Sequence, residues 1–147
     1  MSKKYILTDE TIKFRDHILH RIKATKSFGN VKKGDLGGWV ESEKNLSHDG
    51  NCWIADNARV WFNARVSGNG QVYNNASIWG YALIFENAKV YGETNIYDDA
   101  RIYEDAEVYE NAMICGNAEI YGNTKVHGKA KIIYNFEEQL NNITNIN

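Results

Sequence analysis

Small, polar and aliphatic residues recur along this chain with a fixed period. Between Asp49 and Ile132 every sixth residue is Val or Ile, and the residue two places earlier is small. The stretch divides without insertion into fourteen hexads, from DGNCWI through YDDARI to HGKAKI. The small residue is Ala in ten of them and Cys52, Gly70, Thr94 or Thr124 in the rest. Side chains two apart share one side of an extended strand. Each hexad therefore predicts a strand of three or four residues with two inward side chains, and then a turn at a pair drawn mostly from Gly, Asn, Asp and Glu. A helix is excluded, because a period of six holds no stripe on one face of a 3.6-residue spiral. Strands this short bury their apolar side only by stacking coil upon coil around a shared core, so the pattern predicts a solenoid over 49–132.

The first 48 residues break the period. KYILTD, TIKFRD and ILHRIKAT read as short strands, with Ile18, His20, Ile22 and Ala24 alternating on one side. An open solenoid end exposes unpaired strand edges and bare core, so a small β-rich cap is expected over 1–48. Gly37 and Gly38 ahead of Trp39 mark a tight entry turn. In 133–147, Phe136, Leu140 and Ile143 stand at near-helical spacing, which predicts a short closing helix or tail.

The hexads resemble those of the hexapeptide-repeat family. That resemblance implies an all-β fold, a left-handed parallel β-helix of triangular section with three hexads, 18 residues, per coil and four to five coils in this chain. Handedness rests on the resemblance, since the general rule for parallel crossovers favours the right hand. The lead-in SFGNVKKGDLGGWVES (27–42), NLS (45–47) and GNCWI (50–54) is similar to the N-terminal part of the YdcK-like proteins of bacteria and phages. That family carries a transferase label through its fold. So compact a version resembles small phage and prophage products, which implies a phage accessory protein. Inhibition or sequestration within a bacterial defence system is then a natural use, with capture of a small nucleotide between subunits as a variant.

Folded at 18 residues per coil, the outward residue after each aliphatic position falls into columns. One carries Tyr73, Tyr91, Tyr109 and His127, a second Trp61, Trp79 and Tyr97, a third Phe85, Tyr103 and Tyr121. Hexapeptide acyltransferases usually place small or acidic residues there, so this chain departs from the enzyme pattern. Stacked aromatic side chains stabilise neighbouring strands, and contiguous aromatic surface is also typical of interfaces. A homodimer or homotrimer is expected, with Tyr73, Tyr91 and Tyr109 as the first candidate interface and Trp61, Trp79 and Tyr97 as the second.

Charge and composition sharpen the choice of function. The formal net charge of −2 divides into +4 over residues 1–48 and −6 over 49–147. Glu93, Asp98, Asp99, Glu104, Asp105, Glu107 and Glu110 form an acidic patch within one coil length, without the glycine-bounded loop of a calcium site. A host or defence protein docked on this patch and on the ladders is the expected partner. Nucleic acid is not expected, because the basic residues make no stripe and no aromatic motif accompanies them. No apolar run approaches a membrane span and MSKKYILTDE has no apolar signal core, so a cytoplasmic location in a bacterial host is expected. Cys52 is assigned inward and Cys115 outward on another face, too far apart for a disulfide. Acyltransferases of this fold use a histidine base, coenzyme A along the coil and often a protruding loop. Here the repeats offer His48 and His127 as catalytic candidates and no such loop. No cofactor or metal is expected. The reading is a non-enzymatic β-helix binding scaffold, with a coenzyme A-dependent acyltransferase as the alternative.

Overall fold

The computed structural model describes residues 3–135. It is nearly all β, a parallel β-solenoid of about five turns. The repeated register confirms the 18-residue coil: Arg59, Ser77, Asn95, Met113 and Lys131 stand in successive rungs of one sheet, and Trp53, Gln71, Lys89, Glu107 and Lys125 in another. The third sheet stacks Arg65, Leu83, Arg101 and Glu119. These three are called faces one, two and three below. Each rung is only two to four residues long, so its backbone groups are satisfied by the coils above and below it; Trp61 N donates to Ile78 O, for example, and Trp79 N to Ile96 O, both at 3.0 Å.

The second residue of every hexad has positive φ, from Gly50 and Asp56 through to Gly128. This single left-handed residue turns the chain at each corner of the prism. Where it is Asp or Asn, its side chain can serve the coil below: Asp56 Oδ2 accepts from Asn74 N, Asn74 Oδ1 from Gly92 N and Asp98 Oδ2 from Gly116 N, at 3.0–3.1 Å. Inside, the Val and Ile columns and the alanines between them are buried from Ile54 to Val126. Thr94 is buried as expected. Thr124, assigned inward, is exposed, because its rung belongs to the last coil and no described rung stacks beneath it.

Parallel stacking starts upstream of the first hexad. Strands β1 (Tyr5–Phe14) and β2 (His17–Ala24) form an antiparallel hairpin, and β2 pairs with β3 (Leu36–Val40), which lies parallel to the rung of Val60. Val40 pairs with Val60 and Leu46 with Val66, offsets of 20 rather than 18. The two extra residues therefore lie between Leu46 and Trp53. Just ahead of Leu46, Asn45 is fully buried and saturated: its Oδ1 accepts from Glu41 N and Ser42 N, and its Nδ2 donates to Phe62 O and Ala64 O. The expected single-sided alternation of β2 fails at Ile18, which is 51% exposed while Leu19 is buried. The strand buries opposite faces along its length: Ile22 and Ala24 close the main core, and Leu19 packs outside face one against Trp39 and Trp61.

At the other end the strand of Ile132 continues to Tyr134, paired with Met113–Gly116. The expected closing segment, with Phe136, Leu140 and Ile143, lies outside the described residues.

Ile96 sits in a middle coil and is fully buried. Ile96→Asp should cost about 3–5 kcal/mol by burying an unpaired charge and abolish the cooperative thermal transition. Asn95→Asp, its half-exposed neighbour, should change stability by about 0.5 kcal/mol or less. Equal melting temperatures for the two variants contradict the register.

Candidate functional site

The outward columns form as ring stacks. Tyr73–Tyr91, Tyr91–Tyr109 and Tyr109–His127 have centroids 4.8, 5.1 and 5.2 Å apart with planes within 12°. Trp61–Trp79 and Trp79–Tyr97 stand at 5.0 and 4.6 Å, and Phe85–Tyr103 and Tyr103–Tyr121 at 4.9 and 5.5 Å. Ring faces are thus occupied by ring neighbours, and what the columns offer outward is ring edges. Several hydroxyls lean onto the next coil. Tyr91 donates to Glu107 Oε1 at 3.0 Å and Tyr103 to Glu119 Oε1 at 3.2 Å. Burial, then the Glu107 bond, pushes the Tyr91 hydroxyl up to about 12.

The three ladders differ in what covers them. Face two and face three keep their tyrosines half-exposed, with Tyr121 at 53%. Trp61, assigned to an interface with another molecule, is only 2% exposed, because the chain's own hairpin lies over it: Phe14 packs edge-on at 5.1 Å. Cys115, assigned outward, continues this same column between Tyr97 and Ile133 but is 3% exposed. The Tyr97 hydroxyl reaches Met113 Sδ at 3.4 Å, and the neighbouring Cys115 thiol, then burial, raises it to about 12. Both cysteines are free.

The acidic residues do not converge. Asp98 and Asp99 occupy the corner after face one, Glu104 and Asp105 the corner after face three, Glu93 and Glu110 the corner after face two, and Glu107 lies on face two itself. They ring the prism. Among the described residues no group of three or more His, Cys, Asp or Glu side chains comes together as a metal site.

Three histidines stand beside carboxylates. His127 Nδ1 is 3.6 Å from Glu110 Oε1, both more than half exposed, at the end of the face-two ladder. His48 is built into the cap: its ring stacks on Tyr5 at 4.1 Å, Nδ1 accepts the Lys4 backbone N–H at 3.2 Å, and Nε2 stands 3.5 Å from Glu43 Oε1. The third pair, His17 and Glu41, is the tightest at 2.7 Å and lies outside the repeats. One carboxylate fixes two groups here, since Glu41 Oε1 also accepts the N–H of Phe62, a bulky residue at φ 60°. Burial alone would raise the Glu41 pKa, but the His17 and Phe62 hydrogen bonds win and hold it below the ordinary value.

The cap also holds a buried lysine. Lys4 is 1% exposed and its Nζ meets Gly50 O, Cys52 O and Cys52 Sγ at 3.1, 2.8 and 3.3 Å, with the Phe28 ring 4.5 Å away. Phe28 packs edge-on to Trp53. At Gly38 any Cβ would stand 2.5 Å from Ala58 O and 2.7 Å from Ile54 Cγ2. The lead-in 27–54 is therefore the plug of the solenoid, and each of its unusual residues has a packing or hydrogen-bonding reason.

One curated relative is a protein of Escherichia coli (strain K12) named uncharacterized acetyltransferase YdcK. It is 34% identical over 68 residues, which cover 41% of this chain and 21% of that protein. The chain is a hexapeptide-repeat β-helix resembling YdcK. It spans about a fifth of the length of this YdcK relative. No family model matches the chain. Among the described residues no helix is long and apolar enough to cross a membrane.

His48 makes the cap sensitive to acid. Burial lowers its pKa from the ordinary 6.5, against the pull of Glu43, and a proton on Nδ1 would face the Lys4 N–H, donor against donor. A base with a depressed folded pKa leaves stability intact above its unfolded pKa. As pH falls below about 6.5, the unfolded chain takes up the proton first and stability drops. The melting temperature should fall between pH 7 and 5, and His48→Asn, whose carbonyl can replace Nδ1 as acceptor, should flatten that decline. Parallel pH profiles for the two proteins would refute this role.

Proposed function

We propose that this chain is a non-enzymatic binding scaffold, a rigid prism that presents aromatic edges and carboxylates to a protein partner. The observation that carries the reading is the face-two column. Tyr73, Tyr91 and Tyr109 stay in parallel over three coils with their edges half-exposed, and Glu107 and Glu110 flank them. Amphipathic rings held without side-chain freedom lose little entropy on docking. The carboxylates favour a partner with a basic contact surface. The finer reading is an inhibitor or sequestering protein aimed at a bacterial defence system. It rests on the resemblance of the lead-in 27–54 to the YdcK-like proteins of bacteria and phages.

A second reading, a coenzyme A-dependent acyltransferase, is favoured by the name of the YdcK relative and by the carboxylate-held imidazoles. In that chemistry a histidine takes the proton from the acyl acceptor, and a carboxylate on its other nitrogen orients the ring. His127 with Glu110 and His17 with Glu41 are the pairs that fit; His48 is spent on the Lys4 backbone.

Two measurements separate the readings. Capture on immobilised protein from a bacterial lysate should retain a host protein that Tyr91→Glu releases while its circular dichroism stays that of the wild type. Calorimetric titration with coenzyme A should show no heat of binding. Saturable binding of coenzyme A, with acyl transfer lost in His127→Ala or His17→Ala, would replace the scaffold with the enzyme.

A further inference from the structure

The cap closes over two nucleophiles held in contact. Lys4 Nζ donates to Gly50 O at 3.1 Å, to Cys52 O at 2.8 Å and to Cys52 Sγ at 3.3 Å, and the lysine is 1% and the cysteine 0% exposed. As an ammonium, Nζ thus spends all three of its N–H groups here. Once one proton leaves, the two carbonyls still hold two N–H groups and the lone pair faces the sulfur. Burial lowers the Lys4 pKa, against the pull of Cys52, and so favours that state. The thiol is itself held in place, with Ser47 O at 3.4 Å and Asp49 O at 3.6 Å. The turn that lines the pair ends in exposed residues, Asp49, Gly50 and Asn51.

We propose that hydrogen peroxide joins this pair through a direct Lys4 Nζ–Cys52 Sγ bond, a sulfenamide. The thiolate attacks one peroxide oxygen; the S–O bond forms, the O–O bond breaks, and the leaving hydroxide takes a proton from the Nζ ammonium to become water. The freed lone pair of the amine then attacks the sulfenic sulfur. The N–S bond forms, the S–O bond breaks, and hydroxide departs with one amine proton as a second water. Sulfur gives up two electrons, and peroxide is reduced to those two waters. At 3.3 Å the reacting atoms already stand at near-attack separation. A sulfenic acid with an amine at that range has its partner before a second peroxide arrives, which diverts it from the irreversible sulfinic acid. Burial pushes the Cys52 thiol pKa up, with Lys4 opposing it, so the first step is slow and waits on local opening of the 47–51 turn. The cross-link is independent of the face-two site and of the histidine–carboxylate pairs.

Peptide mass mapping of the folded full chain carrying Cys115→Ala, in which no disulfide can form within one chain, tests it. After excess hydrogen peroxide the Lys4 and Cys52 tryptic peptides should run as one, weighing two hydrogens less than their sum, and dithiothreitol should separate them. The bond ties together residues 48 apart, which constrains the unfolded chain, so the melting temperature should rise by about 10 °C. Lys4→Gln removes the nucleophile, and its Cys52 should gain oxygen under the same treatment. The guanidinium-unfolded chain should also gain oxygen without linking, since only the fold brings the two groups together. Oxygen gained at Cys52 with Lys4 unlinked in the folded protein overturns the inference, and so does a Cys52 that prolonged peroxide leaves a thiol. A linked pair that has lost two hydrogens and gained one oxygen would set that oxygen between nitrogen and sulfur and overturn the direct bond.

Discussion

A strand of two residues has no stability of its own. The N–H of the first residue in every rung from Arg59 to Met113 donates to the next coil, seventeen residues on, and no hairpin or helix inside these repeats offers a local alternative. The 18-residue register is thus the condition on which the rest depends. One inserted residue would send the inward column outward and strip the ladder of hydrogen bonds at the same time. The same register that stacks Val on Ile inside stacks Tyr on Tyr outside, and it stacks one left-handed corner residue on another. Rigidity, aromatic columns and aligned corners are one consequence of one constraint.

Such a solenoid has ends, and its upper end accounts for the part of the sequence that looks most motif-like. Phe28, Gly37, Gly38, Asn45 and Cys52 of this lead-in each help close the first coil: a ring on Trp53, two sites without room for a Cβ, a saturated buried amide, and a thiol at the Lys4 ammonium. Likeness over this stretch reports how a hexapeptide solenoid is plugged.

The hexads were legible because their information is local. Two inward positions per six residues and a turn residue at a fixed place define the coil, and the structure needed only to stack them. The hairpin was not legible in the same way. Leu19 and Ile22 of β2 bury against opposite surfaces, so no single alternation describes the strand. The His17–Glu41 contact joins residues 24 apart at the ends of the neighbouring strands β2 and β3, and its only trace in the sequence is Phe62, the one aromatic residue at a second hexad position where Gly, Asp, Asn or Glu otherwise stand. Cys115 was placed correctly in its column and wrongly in its exposure, because Tyr97 above and the lengthened strand of Ile133 below close over a side chain smaller than the rings around it.

Outward aromatic residues are therefore a poor guide to binding when taken alone. In a register this strict, a tyrosine above a tyrosine gains a stacked neighbour on either side, and that gain exists in the isolated chain. What discriminates the faces is the company the rings keep. On face two Lys125 lies 3.9 Å from Glu107, and on face three the Tyr103 hydroxyl bonds Glu119, so the ring edges there stand among charged groups. On face one the column between Arg59 and Lys131 is uncharged, the chain folds its own hairpin over the upper half, and Ile133 stands half-exposed in the lower half. A surface that the molecule covers wherever its own chain can reach is one whose exposure costs free energy, and the uncovered remainder is where that cost still acts.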